Sequence, residues 1–262
     1  MIRTTAGEAI ARLLARSGHL AADDAQAIVA LPVSPLRSLK TRADLAIDDA
    51  PPKHALFIMS GWACRYRMLE DGRRQLLSLL LPGDLCEVNA TVLRHADHTI
   101  ASLSAVTYVE VPNDALMRLS ADRPRVSQAL WWHMLVQMAV QREWTVNIGQ
   151  RSAIERIGHL FCEVLTRLRT TGATTGPSFE FPMTQIDLGE ATGLTPVHVN
   201  RVLQQMRSAG LVELRGRMLT LLDVAALRNM AMFSPDYLHL DDEPPGAKRV
   251  RVSWDGGDHA GR

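Results

Sequence analysis

Hydrophobic and polar positions follow three rhythms along this chain. From Thr5 to Ala15 and from Ala22 to Leu31, alanine and leucine recur at helical spacing, and Ser17-Gly18 between them is a stop signal. From Leu36 to Val111 the rhythm shortens. Ala55–Met59, Trp62–Met68, Gln75–Leu81, Ile100–Leu103 and Thr107–Val111 are apolar or alternating runs, punctuated by Ser60-Gly61, Asp71-Gly72 and Pro82-Gly83. Short runs between glycine turns predict antiparallel hairpins that close into a compact β-barrel or jelly roll. Beyond Pro112 the punctuation stops, and Arg125–Gln150 reads as one long helix interrupted by no glycine or proline except Gly149. Val126, Leu130, Met134 and Met138 recur every four residues, and Trp131, Leu135 and Ala139 widen that stripe. Such a width suits two apolar partners, the helix's own barrel and the same helix of a second subunit, although burial within one domain would also use it.

A further helix is expected from Ser152 to Arg169, with Ile154, Ile157, Phe161, Leu165 and Leu168 on one face. The most informative stretch is Met183–Leu211. Thr184 is placed to cap a short helix reaching Thr192, and Gly193 supplies the tight turn. Thr195 caps a second helix whose first turn holds Pro196, where a missing N–H costs nothing. Val199, Val202, Leu203 and Met206 then face inward. His198, Asn200, Arg201 and Gln204 are left outward, and these are the side chains that hydrogen-bond to base edges and phosphates in a major groove. Leu211–Leu222 follows as two strands about Gly216, a hairpin wing flanked by Arg215 and Arg217. An ordinary helical hairpin with a β-ribbon is the plainer reading, but cap, turn, reading residues and wing occur in order.

Composition changes this picture little. Lys and Arg number 29 against 28 acidic residues in 262, a net charge of +1, so any nucleic-acid footprint has to be local. Arg151, Arg156, Arg167, Arg169, Arg201, Arg207, Arg215 and Arg217 make residues 151–222 more basic than the whole, and several are expected along a DNA backbone. Cys64, Cys86 and Cys162 are scattered without C-x-x-C spacing, which argues against a zinc ribbon, a cysteine-ligated iron–sulfur cluster or a disulfide framework and favours a reducing cytoplasm. No stretch of about 18 apolar residues occurs, so no membrane span is expected. His19, His54, His95, His98, His133, His159 and His198 fall into no nucleophile, metal or acid–base spacing, so neither an enzyme, a metal nor a cofactor is expected. The end of the chain, with Pro244-Pro245, Gly256-Gly257 and the cluster Lys248, Arg249 and Arg251, is expected to lack fixed structure.

Taken together, these motifs resemble the Crp/Fnr family of bacterial transcription regulators over nearly the whole length. Pro82-Gly83-Asp84 is similar to its β-roll turn, and Gly193-Leu194-Thr195 with Val199-Asn200-Arg201 to its turn and recognition helix. The resemblance implies an α+β fold: N-terminal helices (1–32), a cyclic-nucleotide-binding-like β-roll (33–124), a long dimerisation helix (125–150), a winged helix-turn-helix (151–236) and a tail (237–262). It implies a cytoplasmic homodimer on twofold-related double-stranded DNA, with Thr195, His198, Asn200, Arg201, Gln204, Arg215 and Arg217 on the DNA, and RNA polymerase as a further candidate partner. An effector pocket would involve Gly83, Cys86, Glu87, His98 and Thr99. Cyclic-AMP-binding members carry a Gly-Glu pair for the ribose and an Arg-Ser or Arg-Thr pair for the phosphate. Here Cys86-Glu87 and His98-Thr99 stand there, so a phosphate would lose its charge-assisted partner and cyclic AMP is not the expected effector. Oxygen-sensing members carry a cysteine cluster ahead of the β-roll, whereas the first cysteine here is Cys64. A small-molecule sensor or scaffold without a sequence-specific DNA role is the alternative.

Overall fold

The computed structural model describes residues 5–45, 53–88, 92–93 and 97–240. His95 and the basic tail cluster lie outside the described residues. Helices α1 (Ala6–Ala15) and α2 (Ala22–Val29) open the chain, α1 capped reciprocally by Thr5 and Glu8. Eight strands follow: β1 (Arg37–Leu39), β2 (Asp44–Leu45), β3 (His54–Ser60), β4 (Ala63–Met68), β5 (Arg74–Leu80), β6 (Leu85–Cys86), β7 (Thr99–Ser102) and β8 (Val106–Pro112). They form two antiparallel four-stranded sheets, ordered β1-β8-β3-β6 and β2-β7-β4-β5. The five runs expected from the sequence are present, and three strands of two or three residues complete the sheets.

Strand β3 shows why this segment cannot be a one-sided sheet. Ala55 and Phe57 pack with Ile10, Leu14 and Leu130 from the helices, whereas Leu56 and Ile58 face Ala63, Leu80 and Ile100 of the opposite sheet. Both faces are buried, so the strand reads as continuous apolar sequence although side chains alternate. The second sheet behaves alike. Ala63 and Leu80 point into the roll, while Cys64, Tyr66, Leu76 and Leu79 join a larger core made with the C-terminal half.

After α3 (Asn113–Asp122), helix α4 runs from Pro124 to Gln150 with proline in its first turn. Val126, Ala129, Leu130, His133, Ala139, Val140 and Trp144 are buried, but Trp131, Met134, Leu135 and Met138 are exposed. The wide stripe expected from the sequence is therefore divided between a core-facing part and an exposed part. Each step of four residues turns about 40° past a full turn of a 3.6-residue helix, so the row of Val126, Leu130, Met134 and Met138 leaves the core-facing side by its third member.

The C-terminal part comprises α5 (Ala153–Thr170), β9 (Ser178–Glu180), α6 (Gln185–Thr192), α7 (Pro196–Ser208), β10 (Val212–Arg215), β11 (Met218–Leu221), α8 (Val224–Met230) and a 3-10 turn at Pro235–Leu238. It is packed against the β-roll. Trp62 stacks on Phe179 with centroids 6.3 Å apart and meets the edge of Phe181 at 5.7 Å. Arg42 grips Asp187 at the start of α6 with two bonds of 2.6 and 2.7 Å, and Arg74 of β5 reaches Asp187 at 3.0 Å and Glu190 at 2.8 Å. Arg167 of α5 ties Asp84 (2.6 Å) to the fully buried Glu163 (3.1 Å), which also accepts from Trp144 Nε1 and the Tyr237 hydroxyl.

The glycines of the β3–β4 and β4–β5 turns separate conformation from space. Gly61 (φ +78°) and Gly72 (φ +84°) both sit where L-residues are strained, but a Cβ on Gly61 would collide with the carbonyl oxygen of Ala105, whereas Gly72 faces open space. Gly72→Ala is expected to cost about 1–2 kcal/mol of conformational strain alone, and Gly61→Ala clearly more, as read by urea denaturation midpoints. Equal losses would show that the β3–β4 turn relaxes freely.

Candidate nucleic-acid interface and effector cavity

Helix α6 begins with a reciprocal cap: the Thr184 hydroxyl accepts from Asp187 N, while the Asp187 carboxylate accepts from Thr184 N at 2.6 Å. It ends at Gly193, whose φ of +68° is the left-handed conformation that lets the chain reverse into α7. Gly189, which the sequence reading passed over, lies so close to the carbonyl of Leu194 that a side chain would not fit. Thr195 caps α7 by accepting from His198 N at 3.3 Å, and Pro196 occupies its first position.

Val199, Val202, Leu203 and Met206 of α7 are buried, as expected from the sequence. The opposite face carries Asn200, Arg201 and Gln204, all exposed, with half-buried His198 at its flank. Asn200 Nδ2 donates to Gln185 Oε1 at 3.3 Å across the turn between the two helices. The wing is β10 paired with β11, in register Val212↔Leu221 to Arg215↔Met218, and β9 adds a third strand. Among the described residues the side chains of Arg201 and Arg217 have no ion pair, whereas Arg215 is held by Glu213 at 2.7 Å. Three other arginines of residues 151–222 are engaged within the fold. Arg151 pairs with Glu143, Arg156 donates to the carbonyls of Arg151 and Thr192, and Arg167 is buried in the core. Arg201 on α7 and Arg217 on the wing thus keep exposed charges without a carboxylate partner among the described residues.

On the other side of the β4–β5 hairpin lies a cavity of about 710 Å³, bordered by Arg65, Leu77, Cys86, Glu87 and His98 of the roll and by Trp131, Met134 and Met138 of α4. Of the five residues expected there, Cys86, Glu87 and His98 line it. Gly83 and Thr99 do not. Gly83 turns against Thr171 just past α5, and Thr99 opens β7 opposite Tyr66, on the other side of the strand from Ile100, which faces into the roll. Arg65 is the residue that sequence reasoning missed. Glu87 accepts from Arg65 Nε at 3.0 Å and lies 3.1 Å from His98 Nε2, while His98 Nδ1 lies 2.6 Å from Asp97. Burial alone would raise the Glu87 carboxyl, but His98 and Arg65 outweigh it and hold it at about 2. Glu87 also adopts φ +58°, a strained conformation for a side-chain-bearing residue.

A family model described as a cyclic nucleotide-binding domain matches residues 36–123, and one described as a Crp-like helix-turn-helix domain matches residues 155–230. The chain belongs to the Crp/Fnr family. Among curated relatives, the anaerobic regulatory protein of Pasteurella multocida is 28% identical over 177 residues, 67% of this chain and 64% of the relative. The nitrogen fixation regulation protein FixK of Azorhizobium caulinodans is 26% identical over 186 residues, 70% of this chain and 73% of the relative. The chain thus spans 64% to 66% of the length of the first curated relatives it matches. Among solved structures, FixK2 from Bradyrhizobium japonicum aligns with a TM-score of 0.71 at 22% identity, covering 78% of this chain and all of FixK2, and this likeness shows the fold.

Within this Crp/Fnr architecture the three cysteines are buried, and burial pushes each thiol up to about 12. Protonated, enclosed thiols are poor metal ligands and poor redox centres. Among the described residues no group of three or more His, Cys, Asp or Glu is placed to hold a metal ion, and no helix is long and apolar enough to cross a membrane.

The His98 contacts have a measurable consequence. Burial opposes the charged imidazole, but Glu87 and then Asp97 outweigh it, so His98 titrates above its usual value. A raised folded-state pKa stabilises fully below the unfolded value of about 6.5, and that contribution is lost as pH rises through the folded value. Glu87 is depressed, so its contribution is present above the ordinary carboxylate range and lost only toward pH 2. The denaturation midpoint of the protein relative to His98→Gln is therefore expected to be greatest at pH values below about 6.5 and to fall as pH rises above that value. Parallel curves above that value would show that the imidazole charge contributes nothing.

Proposed function

We propose that this chain is a sequence-specific DNA-binding transcription regulator that works as a homodimer in the cytoplasm. The observation that carries the reading is the two-sidedness of α7. One face, Val199, Val202, Leu203 and Met206, is fixed in the core, and the other offers Asn200, Arg201 and Gln204 to a groove. Thr195 and His198 start that helix, and Arg215 and Arg217 flank it on the wing. Arg215 already has a carboxylate partner, so Arg217 is the stronger phosphate anchor.

The dimer is supported by α4, where Trp131 is 68% and Leu135 59% exposed beside Met134 and Met138. A contiguous exposed apolar face on a helix calls for a partner, and the same helix of a second copy supplies a self-complementary one. We divide the chain at the boundaries expected from the sequence, 33–124 as the effector-binding-like roll and 151–236 as the DNA-binding unit. The cavity supports an effector role, with Arg65 and His98 already paired to Glu87, so an anionic cyclic nucleotide would have to displace an established ion pair. Recruitment of RNA polymerase belongs to the same proposal, and no catalytic role is proposed.

Arg201 and Arg217 are expected to fail differently. Replacing Arg201 with Ala should cost about 1–3 kcal/mol on the preferred duplex and relax preference at one base position per half-site. Replacing Arg217 with Ala should weaken all duplexes alike and flatten the dependence of log K on log salt. Titrations of specific and nonspecific duplexes at several salt concentrations distinguish the two. An Arg201→Ala variant with intact base preference would contradict the assignment of α7 as the reading helix.

A further inference from the structure

We infer that Val197 is a base-reading residue whose partner is the C5 methyl group of a thymine. The inference rests on the DNA-binding reading and extends it to a residue that none of the hydrogen-bonding candidates represents. Val197 is 81% exposed, the most exposed of the large hydrophobic side chains among the described residues. Scattered apolar residues on a surface need no explanation in themselves, so its position has to decide the matter.

Val197 contributes nothing visible to folding. It occupies the second position of α7, between Pro196 and His198. The pair that would staple the chain at this helix start is the residue before the cap and the fourth helical residue. These are Leu194, packed against the core, and Val199, which is fully buried. A β-branched residue is also among the weaker helix formers, so propensity does not call for valine here. What the position does provide is a place on the outward row. Val197, Asn200, Arg201 and Gln204 are spaced i, i+3, i+4 and i+7, and all four are exposed. Val197 is the N-terminal member, on the turn that enters a major groove most deeply in helix-turn-helix docking.

In that row the polar side chains can hydrogen-bond to purines, and only valine has no donor or acceptor. The thymine methyl is the one apolar feature that a base pair presents in the major groove, and apolar side chains are the groups that recognise it. Val197 lies four residues, about 6 Å of helix, from Arg201, so the thymine it reads lies within about two base pairs of the one contacted by Arg201.

The test uses the full-length protein and a duplex that it selects from a randomised pool. Each thymine of the selected half-site is then replaced by deoxyuridine, which pairs identically but lacks the methyl. The protein is expected to lose about fourfold in affinity per half-site at one thymine, the fold-change corresponding to ~0.8 kcal/mol for one buried methyl. Val197→Ala should bind the thymine duplex as weakly as the unaltered protein binds the deoxyuridine duplex, with no further loss at that position. Val197→Glu should move the preference there from T·A to C·G, because a carboxylate accepts from the cytosine amino group. Specific binding that is insensitive to every deoxyuridine, or a Val197→Ala variant that keeps the full penalty, overturns the inference alone. Failure to select any duplex overturns the DNA-binding reading and this inference with it.

Discussion

The carboxylate of Asp187 is the point on which the two halves of the molecule depend. It is 1% exposed, it caps the first helix of the helix-turn-helix, and it is held by Arg42 and Arg74 of the β-roll. The same group therefore fixes where α6 starts and where the DNA-binding half sits. A buried carboxylate with this many donors stays ionised although burial opposes it, and Asp187 accordingly titrates below the usual range. Asp187 is buried but Arg42 and Arg74 stay partly exposed, so solvent screens the anchor. Its worth lies between the about 3–5 kcal/mol of breaking a fully buried pair and the about 0–1 kcal/mol of an exposed pair such as Arg215–Glu213. Arg42 sits in the turn between β1 and β2 at φ +61°, a left-handed conformation uncommon for a side-chain-bearing residue, with its amide donating to the Ser102 carbonyl at 3.1 Å.

Everything functional hangs from that anchor and from the β4–β5 hairpin that supplies half of it. The hairpin gives Arg65 and Leu77 to the cavity and Arg74 and Gln75 to α6. A few residues further on, Asp84 is bound by Arg167 of α5, while Leu85 accepts from the buried His133 of α4 at 2.8 Å. Cavity, helix α4 and the helix-turn-helix half thus share one short stretch of backbone. The β4–β5 hairpin borders the cavity on one side and α6 on the other.

Much of this was legible in the sequence, for definite reasons. The turn pairs Ser60-Gly61 and Asp71-Gly72 encode positive φ locally, and Thr184, Gly193, Thr195 and Pro196 encode caps and a turn within a few residues. What escaped depends on distance. Strands β1, β2 and β6 have two or three residues and no period, β9 exists only because β11 lies beside it, and Arg65 becomes a cavity residue only through Glu87, 22 residues away. Arg167 counts in the sequence only as one of the basic residues of 151–222, because its partner Asp84 lies 83 residues away. On α4 the four-residue spacing of Leu130, Met134 and Met138 was visible, but only packing shows that Leu130 is buried and the two methionines are exposed.

The central claim is that two copies of this chain present two outward α7 faces to one DNA duplex. A hydroxyl-radical footprint of the full-length protein on a selected duplex tests it most directly. The account predicts two blocks of protection related by a twofold axis, on one side of the duplex and centred about 10 base pairs apart. A single block, or protection spread evenly along the duplex, would contradict it.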